Sequence, residues 1–224
     1  MKIDILTLFP SMYDGFLNES IIGRAINDGK VEIKVHNIRD YSKDPHKKVD
    51  DYGYGGGAGM VLMPQPIFDA VDDIKTDDSY VILMTPQGKK YSQAEAKKLK
   101  DKKHIIIICG HYEGFDERIR SLADAEYSIG DYILTGGELA SMVITDSVVR
   151  LIDGVILKES SEFESFENNL LDYPVYTHPE EFRGMKVPAV LLSGHHANIA
   201  KWRHDEQVKR TELRRPDLLE KEDH

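Results

Sequence analysis

The run Ile105-Ile-Ile-Ile108, closed by Cys109-Gly110, constrains the fold of this chain more than any other stretch. A short, unbroken apolar run ending in a glycine turn is the pattern of a strand buried on both faces, and such strands belong chiefly to parallel α/β sheets. Tyr80-Val-Ile-Leu-Met84 repeats the pattern and ends in Thr85-Pro-Gln-Gly88. Around these two runs the periodicity predicts strands at 2–8 and 31–38, with a short one at 126–129. Helices are expected from Ser11 towards Asp28, over 65–74, 92–100 and 115–123, and from Glu138 to Leu151. Strands alternating with helices give an α/β fold with a mostly parallel sheet. Residues 39–60 read as a glycine-rich loop, and no internal repeat is present.

Ligand crevices in open α/β sheets lie beyond the carboxyl ends of the strands. Three glycine-bearing turns fall at such ends here: 84–88, 109–118 and 128–139. The third, Ser128-Ile-Gly-Asp-Tyr-Ile-Leu-Thr-Gly-Gly-Glu-Leu139, combines three glycines with apolar Ile133 and Leu134. Glycine at that density serves positive φ or close approach to the main chain. Backbone donors beside apolar side chains suit a flat, partly apolar ligand such as a purine nucleoside. The plain alternative is a tight turn before a helix. Convergence of three turns on one site favours the ligand.

The chain has 224 residues, enough for one large domain or two small ones with a real core. No apolar run approaches the ~20 residues that span a bilayer. The N-terminus lacks the pattern of a secretion signal. The single Cys109 excludes an internal disulfide and a Cys-Cys metal site. Cytoplasm is the expected location. A net charge of −10 argues against a general nucleic-acid binder. Its distribution softens this. Lys201, Arg203, Lys209, Arg210, Arg214 and Arg215 lie close together near the end, while acids cluster over 159–181. Seven lysines over 89–103 read as a solvated face.

Several familiar sites are excluded. Gly53-Tyr-Gly-Gly-Gly-Ala58 fits a dinucleotide fingerprint in letters, but Lys47-Lys-Val-Asp-Asp51 precedes it where an apolar strand is required. Gly88-Lys89 lacks the upstream glycine of a phosphate loop. His195, His196 and His204 occur without cysteines or a zinc-protease pattern, so they read as surface or RNA-facing residues. His111 sits in a ligand turn, where its neighbour Glu113 has the stronger claim to function. After Arg150 the pattern changes. Residues 157–169 carry no apolar period, and Ser193 is placed to cap a helix carrying Ile199, Trp202 and Val208.

Val49 to Met60, Gly110-His-Tyr-Glu-Gly114, Ser128 to Leu139 and Leu170-Leu-Asp-Tyr-Pro174 resemble the TrmD family, the bacterial tRNA (guanine-37-N1)-methyltransferases. The resemblance runs from Asp4-Ile-Leu-Thr-Leu-Phe-Pro10 to Arg214-Arg-Pro-Asp-Leu218. It implies a parallel α/β domain over 1–156 with a deep C-terminal trefoil knot through roughly 80–140. A mobile linker over 157–172 would carry the base, and a small helical tRNA-binding domain would occupy 173–224. It further implies an obligate homodimer whose active sites each draw on both chains, S-adenosylmethionine as methyl donor, and possible use of Mg²⁺. No ligand cluster in the sequence points to a metal independently.

By resemblance, S-adenosylmethionine contacts Thr85, Pro86 and Gln87 in the first turn, and Gly110 and Glu113 in the second. In the third the matching positions are Ser128, Ile129, Gly130, Tyr132, Leu134, Gly136 and Gly137. The 49–60 loop helps to enclose the target nucleotide. N1 of guanine is protonated at neutral pH, so attack on a methyl sulfonium needs a general base, and charge then develops on O6. Arg150 matches the family's catalytic arginine. Glu164-Ser-Phe166 stands where the family has Asp-Ser-Phe, with Asp172 as a supporting residue. Glu162 is an alternative base, and the plain reading makes Glu162, Glu164 and Glu167 one acidic face.

Other departures are Gly53, Ala140, Asp153 and His178, where proline, proline, proline and arginine are usual, and an end at His224 that is earlier than typical. The expected activity is methylation of guanine next to the tRNA anticodon. The rivals are a knotted methyltransferase acting at a different RNA site and a catalytically weak RNA-binding homologue.

Overall fold

The structure is a computed structural model that describes residues 1–157 and 164–220. The chain divides into two compact units, Met1–Ile156 and Leu157–His224.

The first unit is built on a five-stranded sheet of order β2-β1-β6-β5-β7, with β1 Lys2–Thr7, β2 Glu32–Asn37, β5 Ser79–Lys90, β6 His104–Cys109 and β7 Ala125–Ser128. Every pair in it is parallel. A separate two-stranded hairpin, β3 Asp50–Asp51 and β4 Val61–Leu62, carries the glycine-rich loop. Side chains of a strand point alternately to opposite faces. The isoleucine run therefore feeds two cores at once. Ile105 and Ile107 join Ile3, Ile5 and Ile82 on one face, against helices α2 Ser20–Asn27, α4 Gln93–Leu99 and α5 Glu138–Val149. Ile106 and Ile108 join Leu6, Val81 and Leu83 on the other, against α3 Pro64–Ile74. Each fully buried side chain of this size contributes about 1.5–3 kcal/mol. That explains why no polar residue interrupts the run.

Three elements differ from the sequence expectation. The helix expected from Ser11 to Asp28 is broken into a 3-10 turn Pro10–Tyr13, a short α1 Asp14–Asn18, and α2. The break is at Glu19, which is extended, and at Ser20, with φ of 55°. Gly23 makes the kink possible, since a β-carbon there would lie 2.7 Å from the Asn18 carbonyl. The helix expected over 115–123 is a 3-10 helix, Glu117–Leu122, begun by Asp116, whose carboxylate accepts from the Arg118 amide. The strand at 80–84 continues to Lys90. Its Thr85–Gly88 turn is an excursion within the strand, because Met84 and Lys89 both pair with Tyr127.

The lysines of 89–103 form a solvated face, all exposed apart from half-buried Lys102, and two of them also reach a buried acid. Lys89 and Lys98 donate to the buried carboxylate of Glu95 at 2.8 and 3.0 Å, and Tyr127 Oη donates to its other oxygen at 2.7 Å. Lys89 chiefly, with Tyr127 and Lys98, holds the Glu95 carboxyl down at about 2 against the opposing effect of burial.

The second unit contains a short hairpin, Glu181–Phe182 with Met185–Lys186, and helices Ala189–Leu192 and His196–Arg214. The long helix starts after His195, two residues beyond the expected cap Ser193, whose hydroxyl accepts from the His195 amide. Buried Thr211 anchors the incoming segment by accepting from the Leu171 amide at 2.8 Å. Among the described residues of this unit, Leu218 alone is an almost completely buried hydrophobic side chain.

Near the amino ends of the strands, Asp4 is fully buried. It takes hydrogen bonds from His36 Nε2, His104 Nε2 and Lys2 Nζ, each at 2.7 Å. Burial pushes its carboxyl upward, but His36, Lys2 and His104 outweigh that and hold it well below the ordinary carboxylate range. A depressed folded value stabilises the fold above the unfolded value of about 3.9, and that contribution is lost as pH falls towards the folded value. Asp4→Asn is expected to cost about 2–3 kcal/mol in urea unfolding at pH 7. The gap to the unsubstituted protein should persist at pH 5 and narrow at pH 3.

Candidate ligand cleft

Where β6 and β7 end and β5 makes its Thr85–Gly88 excursion lies a cleft of about 530 Å³. Three turns line it: Thr85, Pro86 and Gln87 from the excursion of β5, Gly110 and Glu113 from the turn after β6, and Ser128, Ile129, Gly130, Tyr132, Leu134, Gly136 and Gly137 from β7 and the turn after it. The structure thus brings every expected cofactor position to one place. Its size lies within the ~300–1,000 Å³ common for small-molecule sites.

Local chemistry holds each turn. A β-carbon on Gly88 would lie 2.5 Å from the Glu126 carbonyl carbon and the Tyr127 nitrogen, so only glycine lets the excursion of β5 press against β7. The Thr85 hydroxyl, itself buried, accepts from the Gln87 amide at 3.3 Å. In the second turn Tyr112 and Gly114 adopt φ of 60° and 123°. The Glu113 and Leu62 amides bond to Met60 and Gly114 carbonyls at 2.9 Å, which docks the base of the glycine-rich hairpin onto the cleft wall. The third turn closes on the second through the Gly137 amide, which donates to Gly110 O at 2.8 Å. A β-carbon on Gly137 would lie 2.9 Å from Cys109 Cα and from Gly110 N.

Behind the cleft, Glu138 is buried in the first turn of α5, where a carboxylate suits the helix N-terminus. Its Oε1 accepts from the Thr7 hydroxyl at 2.8 Å. Tyr13 Oη shares a 2.6 Å hydrogen bond with Ser141 Oγ and lies 3.4 Å from Cys109 Sγ. Burial pushes the Cys109 thiol up to about 12, so it is an inert core group rather than a nucleophile.

His111 packs between Phe9 and Tyr112, with ring centroids 4.8 and 5.0 Å away. Its Nδ1 is buried and without a hydrogen-bond partner among the described residues. Arg120 also lines the cleft and was not singled out from the sequence. Nothing local marks it. Only the fold carries it from the 3-10 helix to Gln87.

The expected catalytic residues do not line this cleft. Arg150 ends α5, half-buried, with its amide bonded to Asp146 O at 3.0 Å. Glu164 and Asp172 lie in the second unit, and Glu162 lies outside the described residues. Asp172 borders a recess shared with Ser165, Tyr173, Tyr176, Arg210 and Arg214. Its amide donates to Ser165 Oγ at 3.0 Å, and its Oδ1 accepts from the Tyr173 amide at 2.7 Å. The segment after Glu164 is thereby tied to Asp172. Among the described residues no three His, Cys, Asp or Glu side chains gather in a way that would hold a metal ion.

Fold and cleft together define an open, parallel α/β protein with a cleft where β6 and β7 end and β5 makes its excursion. Residues 1–221 match the family described as tRNA (Guanine-1)-methyltransferase TrmD, and the chain belongs to that family. It is 58% identical to a tRNA (guanine-N(1)-)-methyltransferase of Bacillus cereus (strain AH820), an alignment that covers 98% of this chain and 92% of the relative. A tRNA (guanine-N(1)-)-methyltransferase of Bacillus anthracis (strain A0248) is similar to the same extent.

The turns make a direct prediction. Gly88→Ala is expected to destabilise the protein by about 1–3 kcal/mol in thermal or urea unfolding, because backbone stands in the way of the added carbon. Gly15→Ala, with nothing within 4 Å of the added carbon, should be neutral or slightly stabilising.

Proposed function

We propose that this protein transfers a methyl group from S-adenosylmethionine to N1 of guanine 37 of tRNA, next to the anticodon. The observation that carries the reading is the convergence, in a member of this family, of all the expected cofactor positions on one cleft. The cleft fits the donor. Backbone groups at Gly110, Gly136 and Gly137 stand beside apolar Ile129, Ile133 and Leu134, as an adenine ring requires, and Glu113 and Glu117 bring negative charge for a sulfonium.

When bound, S-adenosylmethionine supplies an electrophilic methyl group. The chain's own residues prepare the acceptor. Glu164 takes the N1 proton of guanine, leaving the nitrogen lone pair free to form the new bond. The Arg150 guanidinium balances the negative charge that develops on O6. Asp172 supports the base through the Ser165 link. Arg150 and Glu164 are assigned to one reaction on their chemistry and their match to the family pattern. The target base must leave the loop stack to react, and exposed Tyr52 and Tyr54 on the 49–60 loop suit its enclosure. No step is assigned to Mg²⁺.

Three further properties belong to the same reading. The path through 80–140 is a trefoil knot, supported by the return of β5 to β7 beyond the bulge and by the Gly137–Gly110 bond. The active form is a homodimer. Exposed Leu139 and Val143 on α5, with Met12, and the few buried apolar side chains among the described residues of the second unit leave apolar surface for a partner copy to cover. Residues 157–172 act as the linker carrying the base, and 173–224 grip tRNA through Arg203, Arg210 and Arg214. No described helix is long and apolar enough to cross a membrane. A tRNA substrate places the work in the cytoplasm.

The test is transfer of a labelled methyl group to tRNA transcripts carrying guanine or adenine at position 37. Transfer to the guanine transcript alone is expected. Transfer to both would move the site to a different position. No transfer, with activity recovered in Glu164→Asp, would make this a catalytically weak homologue. Glu164→Gln is expected to lower the single-turnover rate by about 10²–10⁴-fold while cofactor binding is retained.

A further inference from the structure

The Thr85–Gly88 excursion presents Gln87 to the cleft, and the side chain that meets it comes from a different element. Arg120, on the 3-10 helix Glu117–Leu122, donates through its two terminal nitrogens to Gln87 Oε1 and Glu126 Oε2, and through Nε to Glu117 Oε2 at 3.0 Å. A guanidinium has donors only. Whatever faces it must be an acceptor, so the carbonyl end of the Gln87 amide is turned to Arg120. The NH₂ end is left over and has no acceptor among the described residues. Glu117 and Glu126 hold the guanidinium in turn, and Gly88 pins the excursion against β7.

We propose that Arg120 is a positioning residue that fixes the Gln87 amide as a hydrogen-bond donor towards the ligand of the cleft. The site thereby selects ligands with an acceptor atom at that place, such as a purine ring nitrogen or a ribose oxygen. This rests on the reading of the cleft as a nucleoside-type cofactor site. Arg120 acts through Gln87 and needs no contact with the ligand itself.

S-adenosylhomocysteine binding to the full chain, measured by calorimetry with a melting curve for each variant, tests it. Gln87→Glu keeps an acceptor for Arg120 and removes the donor. It should weaken binding about tenfold, equivalent to ~1.4 kcal/mol. Arg120→Met frees the amide to flip and should weaken binding by a similar factor. Arg120→Lys, which keeps a cation near the amide, should recover most of that loss. The double variant should bind no worse than Gln87→Glu alone, because both changes remove one interaction. The proposal is overturned if Arg120→Met binds like the unsubstituted protein, or if the two losses add. A lowered melting temperature with unchanged affinity would also overturn it and leave Arg120 a merely structural clamp. Failure of the unsubstituted protein to bind would overturn the cofactor reading as well, a result distinct from loss in the variants alone.

Discussion

The close approach of main chain to main chain at the ends of the strands is the constraint on which the rest of the first unit depends. Gly137 lies against Cys109 and Gly110, and Gly88 against Glu126 and Tyr127, at separations that admit no side chain. These two contacts place the N-terminus of α5 on the end of β6 and the excursion of β5 on β7. The Thr7–Glu138 and Tyr13–Ser141 hydrogen bonds then tie β1 and the Pro10–Tyr13 turn to the same helix end. The cleft exists because backbone, rather than side chains, fills the junction. Under the proposed reading, backbone donors and acceptors held in this way would lower the ordering cost of binding.

Much of this was legible in the sequence, for reasons that can be traced to residues. The isoleucine run announces a strand buried on both faces, and the glycines after it announce the approach of other chain segments. The expected cofactor positions follow from motif resemblance, and the fold lines one cleft with them. What was not legible depends on contacts that apolar spacing does not encode. No local signal shows that the apolar pattern from Ser11 to Asp28 breaks at Glu19, because the break relies on Gly23 meeting the Asn18 carbonyl. The 117–122 segment has helical spacing, yet Asp116 starts it as a 3-10 helix and so aims Arg120 at Gln87. The lysines of 89–103 are the solvated face that their density suggests, but the sequence does not show that Glu95 is buried and gathers two of them.

Charge placement reconciles an acidic protein with an RNA substrate. Of the lysines over 89–103, Lys89 and Lys98 are engaged with Glu95, and Lys103 with Asp78. Arginines of the second unit sit differently. Arg203 stacks over the Tyr173 ring at 4.7 Å, and Arg210 and Arg214 border the recess that contains Asp172. Guanidinium groups beside aromatic rings are the chemistry that grips phosphates and unstacked bases. Under the proposed reading, a local grip of this kind is salt-sensitive and is compatible with a net charge of −10 for the whole chain.

The central claim is that three turns at strand ends form one S-adenosylmethionine site. It is tested most directly by the backbone amide resonances of the full-length protein as S-adenosylhomocysteine is added. The account predicts saturable shifts confined mainly to Thr85–Gly88, Gly110–Glu113 and Ser128–Gly137, reached together at one affinity. Shifts centred on other segments, or none at concentrations that support methyl transfer, would contradict it.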